Sequence, residues 1–267
     1  MTDAAPALAS GIALEELDPA VRPQDDLFRH VNGKWIARTE IPADKARYGS
    51  FYVLAEEAEQ AVREIIEEAQ NAPAGTEERK VGDLYASFMD EDTIEALAWE
   101  PIRAELASVA ELEDIPSFMR ALGEFERTGV SGFFAAFVDN DPGDPERYLV
   151  FLEQAGLGLP DESYYREEKF AEIRGAYLAF LERMLTLAGF DKAPKRAKRI
   201  LELETAIAAH HWDNVRTRDS QATYNPMSWT DAAALAKDVP LDVWLEGLGA
   251  PAGSFDTVVV REPSFVE

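Results

Sequence analysis

The chain has 267 residues, of which 46% are hydrophobic and 29% charged, so it can bury a substantial core and wholesale disorder is excluded. Its 26 Lys and Arg stand against 51 Asp and Glu; the formal net charge of -25 argues against a nucleic-acid partner and against attraction to anionic lipid. There is no cysteine, which removes disulfides, thiolate metal ligands and a cysteine nucleophile.

Residues 1–24 are rich in Ala and Pro and read as an extended arm. They lack a basic segment followed by a continuous apolar one, so no signal peptide is expected. A cytoplasmic protein is the expectation, with export lacking a recognisable signal as the alternative. DDLFRHVNGKW then predicts one or two helical turns stopped by Asn32-Gly33. Over residues 50–71, Phe51, Leu54, Ala58, Ala61, Val62, Ile65 and Ala69 follow three/four spacing, with Ser50 as N-cap and Pro73 and Gly75 beyond the end. Residues 76–99 carry a second such face on Val81, Leu84, Tyr85 and Phe88, broken by Pro101 before a further helix to about residue 109. Phe118, Leu122 and Phe125 place another helix over 115–127.

The period then changes. GFFAAFV and RYLVFLEQ flank DNDPGDPE, which predicts a β-hairpin with a long tip. GFFAAFV is far shorter than the about 20 apolar residues that cross a bilayer. GLGLPDESYY reads as an irregular connector. Two long helices are expected over 166–188 and 194–214, then a loop RTRDSQATYNPMS, two short helices centred on Ala234 and Trp244, and a strand at 257–260. The expected class is mainly α with a minor β-hairpin. VVVREPSFVE stops abruptly after that strand, which suits a cut in a longer chain as well as a natural C-terminus.

Several chemistries are absent. No phosphate-binding G-x-x-x-x-G-K-[ST], no dinucleotide glycine fingerprint and no G-x-S-x-G elbow occurs. The acidic tip at Asp139, Asp141, Asp144 and Glu146 fails the EF-hand spacing, because Gly143 and Val150 fall where oxygen ligands are required; it reads as a solvated turn. His210 and His211 are neighbours on a helix and point about 100° apart, so they do not share one ion. His210 continues the stripe of Ile200, Leu203 and Ile207 as a core or interface residue, and His211 is expected to pair with Glu204, seven residues before it. The H-E-x-x-H motif of a zinc hydrolase is missing. Catalytic and metal-binding residues are therefore expected to be none. The basic run Lys192, Lys195, Arg196, Lys198 and Arg199 reads as a salt-bridged face with Glu202 and Glu204. Arg47, flanked by Tyr48 and Phe51 just before the long helix, is either a carboxylate clamp or an ordinary surface arginine.

DDLFRHVNGKW, IPADKARYGSF with its long acidic helix, LEQAGLGLPDESYY, LELETAIA and RDSQATYNPMS occur in that order. Together they resemble the N-terminal portion of the neprilysin and endothelin-converting-enzyme family of zinc metalloendopeptidases, from about residue 18 onward. Lack of cysteine makes the chain similar to bacterial members. The resemblance implies a two-lobed, mainly helical peptidase acting on short peptides, with zinc held by a C-terminal catalytic half whose motifs do not occur here. Residues 25–75 would pack on that missing half and residues 76–267 would form a helical cap lobe. No zinc and no catalysis are expected of this chain alone, and its partners would be the missing half and a peptide, with neither nucleic acid nor membrane. The resemblance also implies that Arg47 binds the C-terminal carboxylate of the peptide and that Phe51 lines the pocket after the scissile bond. Tyr52 and Ala55 depart from residues of some animal members, an acid and a second arginine, which leaves the preference of that subsite open. The competing reading is a stand-alone, non-catalytic helical module that binds a peptide or protein. A contiguous exposed apolar patch over residues 25–55 and the chain end would favour the first reading, and a closed polar surface the second.

Overall fold

A computed structural model describes residues 13–130 and 132–267. The first half of the arm expected over residues 1–24 lies outside the described residues. The chain divides into two compact units, residues 1–92 and 93–267.

In the first unit, a 3-10 turn at Leu14–Glu16 leads to α1 (Leu27–Arg38), capped by the Asp26 carboxylate, which accepts from the Arg29 N–H at 2.9 Å. The helix does not stop at Asn32-Gly33. Gly33 serves a close approach instead: a Cβ there would sit 2.6 Å from the Asp18 Cβ. The Asp18 N–H donates to the His30 carbonyl at 2.8 Å, and His30 Nδ1 meets the Val21 carbonyl at 2.7 Å, so residues 18–21 are strapped along α1. The long helix α2 (Ser50–Ala69) forms as its spacing predicts, with Gly49 rather than Ser50 in the cap position. Thr76 caps α3 (Glu77–Met89), and a Cβ at Gly82 would fall 2.5 Å from the Ala69 backbone. Glycine thus brings α3 against the end of α2. The apolar stripes of both helices exist, yet Phe51, Leu54, Val62, Ile65, Leu84 and Phe88 are all exposed.

Helix α4 (Glu91–Leu97) crosses the border between the units. In the second unit, α5 (Arg103–Ala110) precedes α6 (Ile115–Glu126), whose capping box pairs Asp114 with Ser117. Strands β1 (Phe134–Asp141) and β2 (Asp144–Gln154) form the expected hairpin, but its connection is only Pro142-Gly143. The tip is short because Asp141 is not solvated. It is 1% exposed and accepts from the Tyr224 hydroxyl at 2.5 Å, the Gly143 N–H at 2.9 Å and the Arg147 guanidinium at 3.0 Å.

After the connector come α7 (Ser163–Arg166), a 3-10 turn at Glu168–Phe170, α8 (Ala171–Leu187) and α9 (Ala193–Ala208). The first expected long helix begins later and the second ends six residues early, leaving His210 and His211 beyond it. The chain then runs through β3 (Pro226–Ser228), α10 (Trp229–Leu235), α11 (Leu241–Leu248), β4 (Thr257–Val260) and α12 (Pro263–Val266). The sheet order is β1-β2-β4-β3, with β2 and β4 parallel and the outer pairs antiparallel. The hairpin therefore grows into a four-stranded sheet.

Both faces of that sheet are covered. Val150, Leu152, Val258 and Val260 face Met119, Leu241, Trp244 and Phe255, while Leu149, Phe151 and Val259 pack with Phe137 and Tyr224 on the other side. This explains why β2 and β4 read as continuous apolar runs. Helices α6 and α11 cross at glycines: a Cβ at Gly123 would lie 2.1 Å from the Trp244 carbonyl, and one at Gly247 would lie 2.2 Å from that of Arg120. The basic run on α9 is exposed; Arg196 pairs with Asp191 at 2.9 Å and Lys198 approaches Glu202 at 3.9 Å. No helix among the described residues is long and apolar enough to cross a membrane.

Candidate functional site

Arg47 and Phe51 lie on either side of the start of α2. A shallow concavity of about 410 Å³ is lined by Arg47, Tyr48, Gly49, Ser50, Phe51 and Tyr52. Arg47 Nε donates to the Tyr52 hydroxyl at 3.0 Å, and its guanidinium lies 5.7 Å from the centre of the Tyr52 ring. No carboxylate among the described residues pairs with Arg47, in a chain whose net charge is -25. Phe51 is 86% exposed.

The scaffold beneath is more elaborate than the sequence indicates. Lys45 pairs with Glu56 at 2.8 Å, and the Tyr48 hydroxyl donates to the same carboxylate at 2.7 Å. The Lys45 hydrogen bond, then that of Tyr48, holds Glu56 below its ordinary value, and the contact with Glu56 raises the Tyr48 phenol. Trp35, Tyr48 and Tyr52 form a ladder of rings with centroid separations of 6.4 and 6.3 Å. These contacts tie the extended segment before α2 to both α1 and α2. Lys45 and Glu56 are eleven residues apart across a coil-to-helix bend, a spacing that carries no periodic signal; the only hint was the crowding of Tyr48, Phe51 and Tyr52 around Arg47.

At the start of α2 the Gly49 carbonyl accepts from the Tyr52 and Val53 N–H groups at 2.9 and 3.1 Å, while those of Ser50 and Phe51 donate to no described residue. A helix N-terminus with free N–H groups beside a guanidinium that has no carboxylate partner is an anion-binding arrangement. A planar guanidinium fork matches a carboxylate, as it does a phosphate, through two parallel N–H···O bonds.

Zinc finds no such fit. Among the described residues no three His, Asp or Glu side chains converge on a metal position. His30 is used on the Val21 carbonyl, His210 is exposed, and His211 Nε2 meets the Ala155 carbonyl at 2.9 Å. The expected pairing of His211 with Glu204 does not form, because the Glu204 oxygens are taken by the hydroxyls of Tyr165 at 2.7 Å and Tyr177 at 2.9 Å. Burial then pushes the half-buried His211 down toward its neutral form.

The N-terminal model of peptidase family M13 matches residues 23–267. The chain belongs to that family. Its members are zinc metallopeptidases. Mouse endothelin-converting enzyme-like 1 is 28% identical over 85% of this chain, and rat endothelin-converting enzyme 1 is 26% identical over 94%. The chain spans about a third of their lengths, 31% and 34% respectively. The structure of the Mycobacterium tuberculosis zinc metalloprotease Zmp1 in complex with an inhibitor superposes on 97% of this chain with a TM-score of 0.82 at 41% identity, and 40% of that chain is covered. The likeness agrees with the helical cap lobe of a two-lobed metallopeptidase, in its N-terminal region.

Proposed function

We propose that this M13 chain is the cap-bearing portion of a zinc metalloendopeptidase that cleaves short peptides, with zinc and the catalytic glutamates contributed by a C-terminal half. Residues 25–75 would pack on that half and residues 76–267 belong to the cap. In this reading Arg47 grips the C-terminal carboxylate of the peptide, and Phe51 lines the pocket on the leaving side of the scissile bond. The observation that carries the assignment is the Arg47 guanidinium, bonded to the Tyr52 hydroxyl but to no carboxylate, at the open N-terminus of α2.

The exposed apolar side chains Leu27, Phe28, Val31, Ile36, Ile41, Phe51 and Leu54 favour it over a self-sufficient binding module, whose surface there would be polar. At the chain end Phe265 and Val266 are half-buried and line a mostly apolar concavity with Phe133, Ile207 and Val239, and Phe265 packs edge-on against His211.

The test compares peptides with a free C-terminus against their C-terminal amides, in a protein that carries both halves. Replacing Arg47 by Ala should raise KM for the free acid by roughly 10–100-fold, the loss expected of hydrogen bonds to a charged group. The amide should change little. Equal effects on both substrates would remove Arg47 from this role. Chelator-sensitive cleavage by this chain alone would overturn the division of labour.

A further inference from the structure

In the second unit, a cavity of about 530 Å³ opens between the end of β2, the connector 155–162, α9 and the turn after it. That volume is in the range of small-molecule sites. Most of its polar side chains are engaged. Gln154 exchanges two hydrogen bonds with the Trp212 backbone, at 2.7 and 2.9 Å. Asp161 accepts from the Ser163 N–H at 2.9 Å and from Asn214 at 2.8 Å, and Glu204 is held by two tyrosines. His211 is spent on the Ala155 carbonyl.

Glu162 is the exception. It is 5% exposed and lines the cavity, yet its carboxylate accepts from no side chain or neighbouring backbone among the described residues, only from its own N–H. Arg166, the cation whose charge acts on it, donates to the carbonyls of Ala208 and His211. Burial, and then the charge of Asp161, raise Glu162 above its ordinary value, as befits a carboxylate left without a donor. Beside it, the carbonyls of residues 156–160 accept no hydrogen bond from the described residues. The cavity thus offers one buried carboxylate and a row of free carbonyls, and no Lys or Arg is among the residues that line it.

We propose that this cavity binds a guanidinium or primary ammonium group, with Glu162 as its counter-ion and the connector carbonyls as further acceptors. Such a group supplies several N–H donors and the positive charge that the buried carboxylate lacks. The carrier is either a free organic cation or the basic side chain of a peptide. Only the peptide arm borrows from the peptidase reading, and since no cleavage is measured, failure of one does not imply failure of the other.

The experiment is calorimetric titration of this chain with n-butylguanidinium, with tetramethylammonium as a cation without N–H donors, and with a tripeptide containing an internal arginine or citrulline. One n-butylguanidinium should bind per chain with Kd below about 1 mM. Glu162→Gln should weaken it about tenfold or more, while Glu182→Gln, an exposed carboxylate on α8, should leave it unchanged. An arginine tripeptide that binds at least about tenfold tighter, with no binding of the citrulline form, identifies a peptide as carrier; equal affinities identify the free cation. No saturable binding, equal affinity for tetramethylammonium, or an unaffected Glu162→Gln variant would each overturn the proposal. Should Glu162→Gln fail to fold, the wild-type amide resonances of Gly156 and Gly158 must still shift with n-butylguanidinium, and their invariance would refute it.

Discussion

Two regions of this chain carry equally clear helical stripes and treat them in opposite ways. In the first unit, the apolar face of α2 and α3 is left exposed at Phe51, Leu54, Val62, Ile65, Leu84 and Phe88. In the second, Met119, Leu241 and Trp244 sit at 1–2% exposure against a sheet. Periodicity reports that a face is apolar, and it does not report what covers it. Burial of one large side chain is worth about 1.5–3 kcal/mol, which the second unit collects within itself. The first unit has those contributions still to gain, and a partner surface would supply them.

The contrast can be broken most strongly at Trp244, which meets Phe134 edge-on at 5.0 Å and Phe255 edge-on at 6.0 Å, and stacks with Trp229 at 6.2 Å. Trp244→Ala should destabilise the second unit by about 3–5 kcal/mol, read by near-ultraviolet circular dichroism during urea unfolding. Replacing Leu84 by Ser should stay within about 0.5 kcal/mol in the same measurement, because that side chain already meets water. Comparable losses at both positions would mean that the two stripes are not differently used.

A second break goes through backbone contact. Gly247→Ala places a methyl where the Arg120 carbonyl already stands, so α11 and α6 must part, at a cost of about 1–3 kcal/mol. Gly249→Ala tests the alternative that any glycine here is costly: its φ of 64° is strained for alanine, but its nearest neighbour is a flexible Arg127 guanidinium at 3.3 Å. The smaller loss is expected at 249, measured by thermal unfolding.

How much was legible follows from these same particulars. The long stripe of α2 placed that helix to within two residues, whereas α8 starts five residues later and α9 ends six residues earlier than expected, and β4 was recognisable from three consecutive valines. Gly33 looks like a break in sequence, yet it marks a point where the Asp18 side chain comes close, and Gly82, inside the expected helix, marks the approach of the Ala69 backbone. Asp141 looked like one of several solvated turn acids because its partner Tyr224 lies 83 residues away. Arg47 was singled out by its aromatic neighbours and by resemblance, whereas the Lys45, Tyr48 and Glu56 support and the solitary Glu162 depend on tertiary neighbours that no local spacing encodes.

Asp141 also sharpens the comparison through pH. The Tyr224 hydroxyl first, then Arg147 and the Gly143 N–H, depress its carboxyl from 3.8 to about 2. A depressed acid contributes stability that is complete above its unfolded value and lost as pH falls through the folded one. The gap in unfolding midpoint between wild type and Asp141→Asn should therefore be widest above about pH 4 and close by about pH 2. A gap that persists at pH 2 would place the role of Asp141 in packing alone.

The smallest effect is expected at Glu262, where the sign reverses. It is 1% exposed; Oε2 accepts from the Gln154 N–H at 2.9 Å, while Oε1 makes no hydrogen bond and lies 3.8 Å from Arg261 Nε. Burial, followed by the charge of Glu153, raises its carboxyl above the ordinary 4.5. The folded state then takes up protons more readily than the unfolded chain, so this contribution is present below pH 4.5 and fades as pH rises through the raised value. Glu262→Gln keeps the acceptor for Gln154 and removes the titration, at the expense of its attraction to Arg261. Relative to wild type, the variant should gain stability between about pH 4.5 and 8, by about 1 kcal/mol or less. A difference that stays constant across that range would show that Arg261 keeps Glu262 charged in spite of its burial.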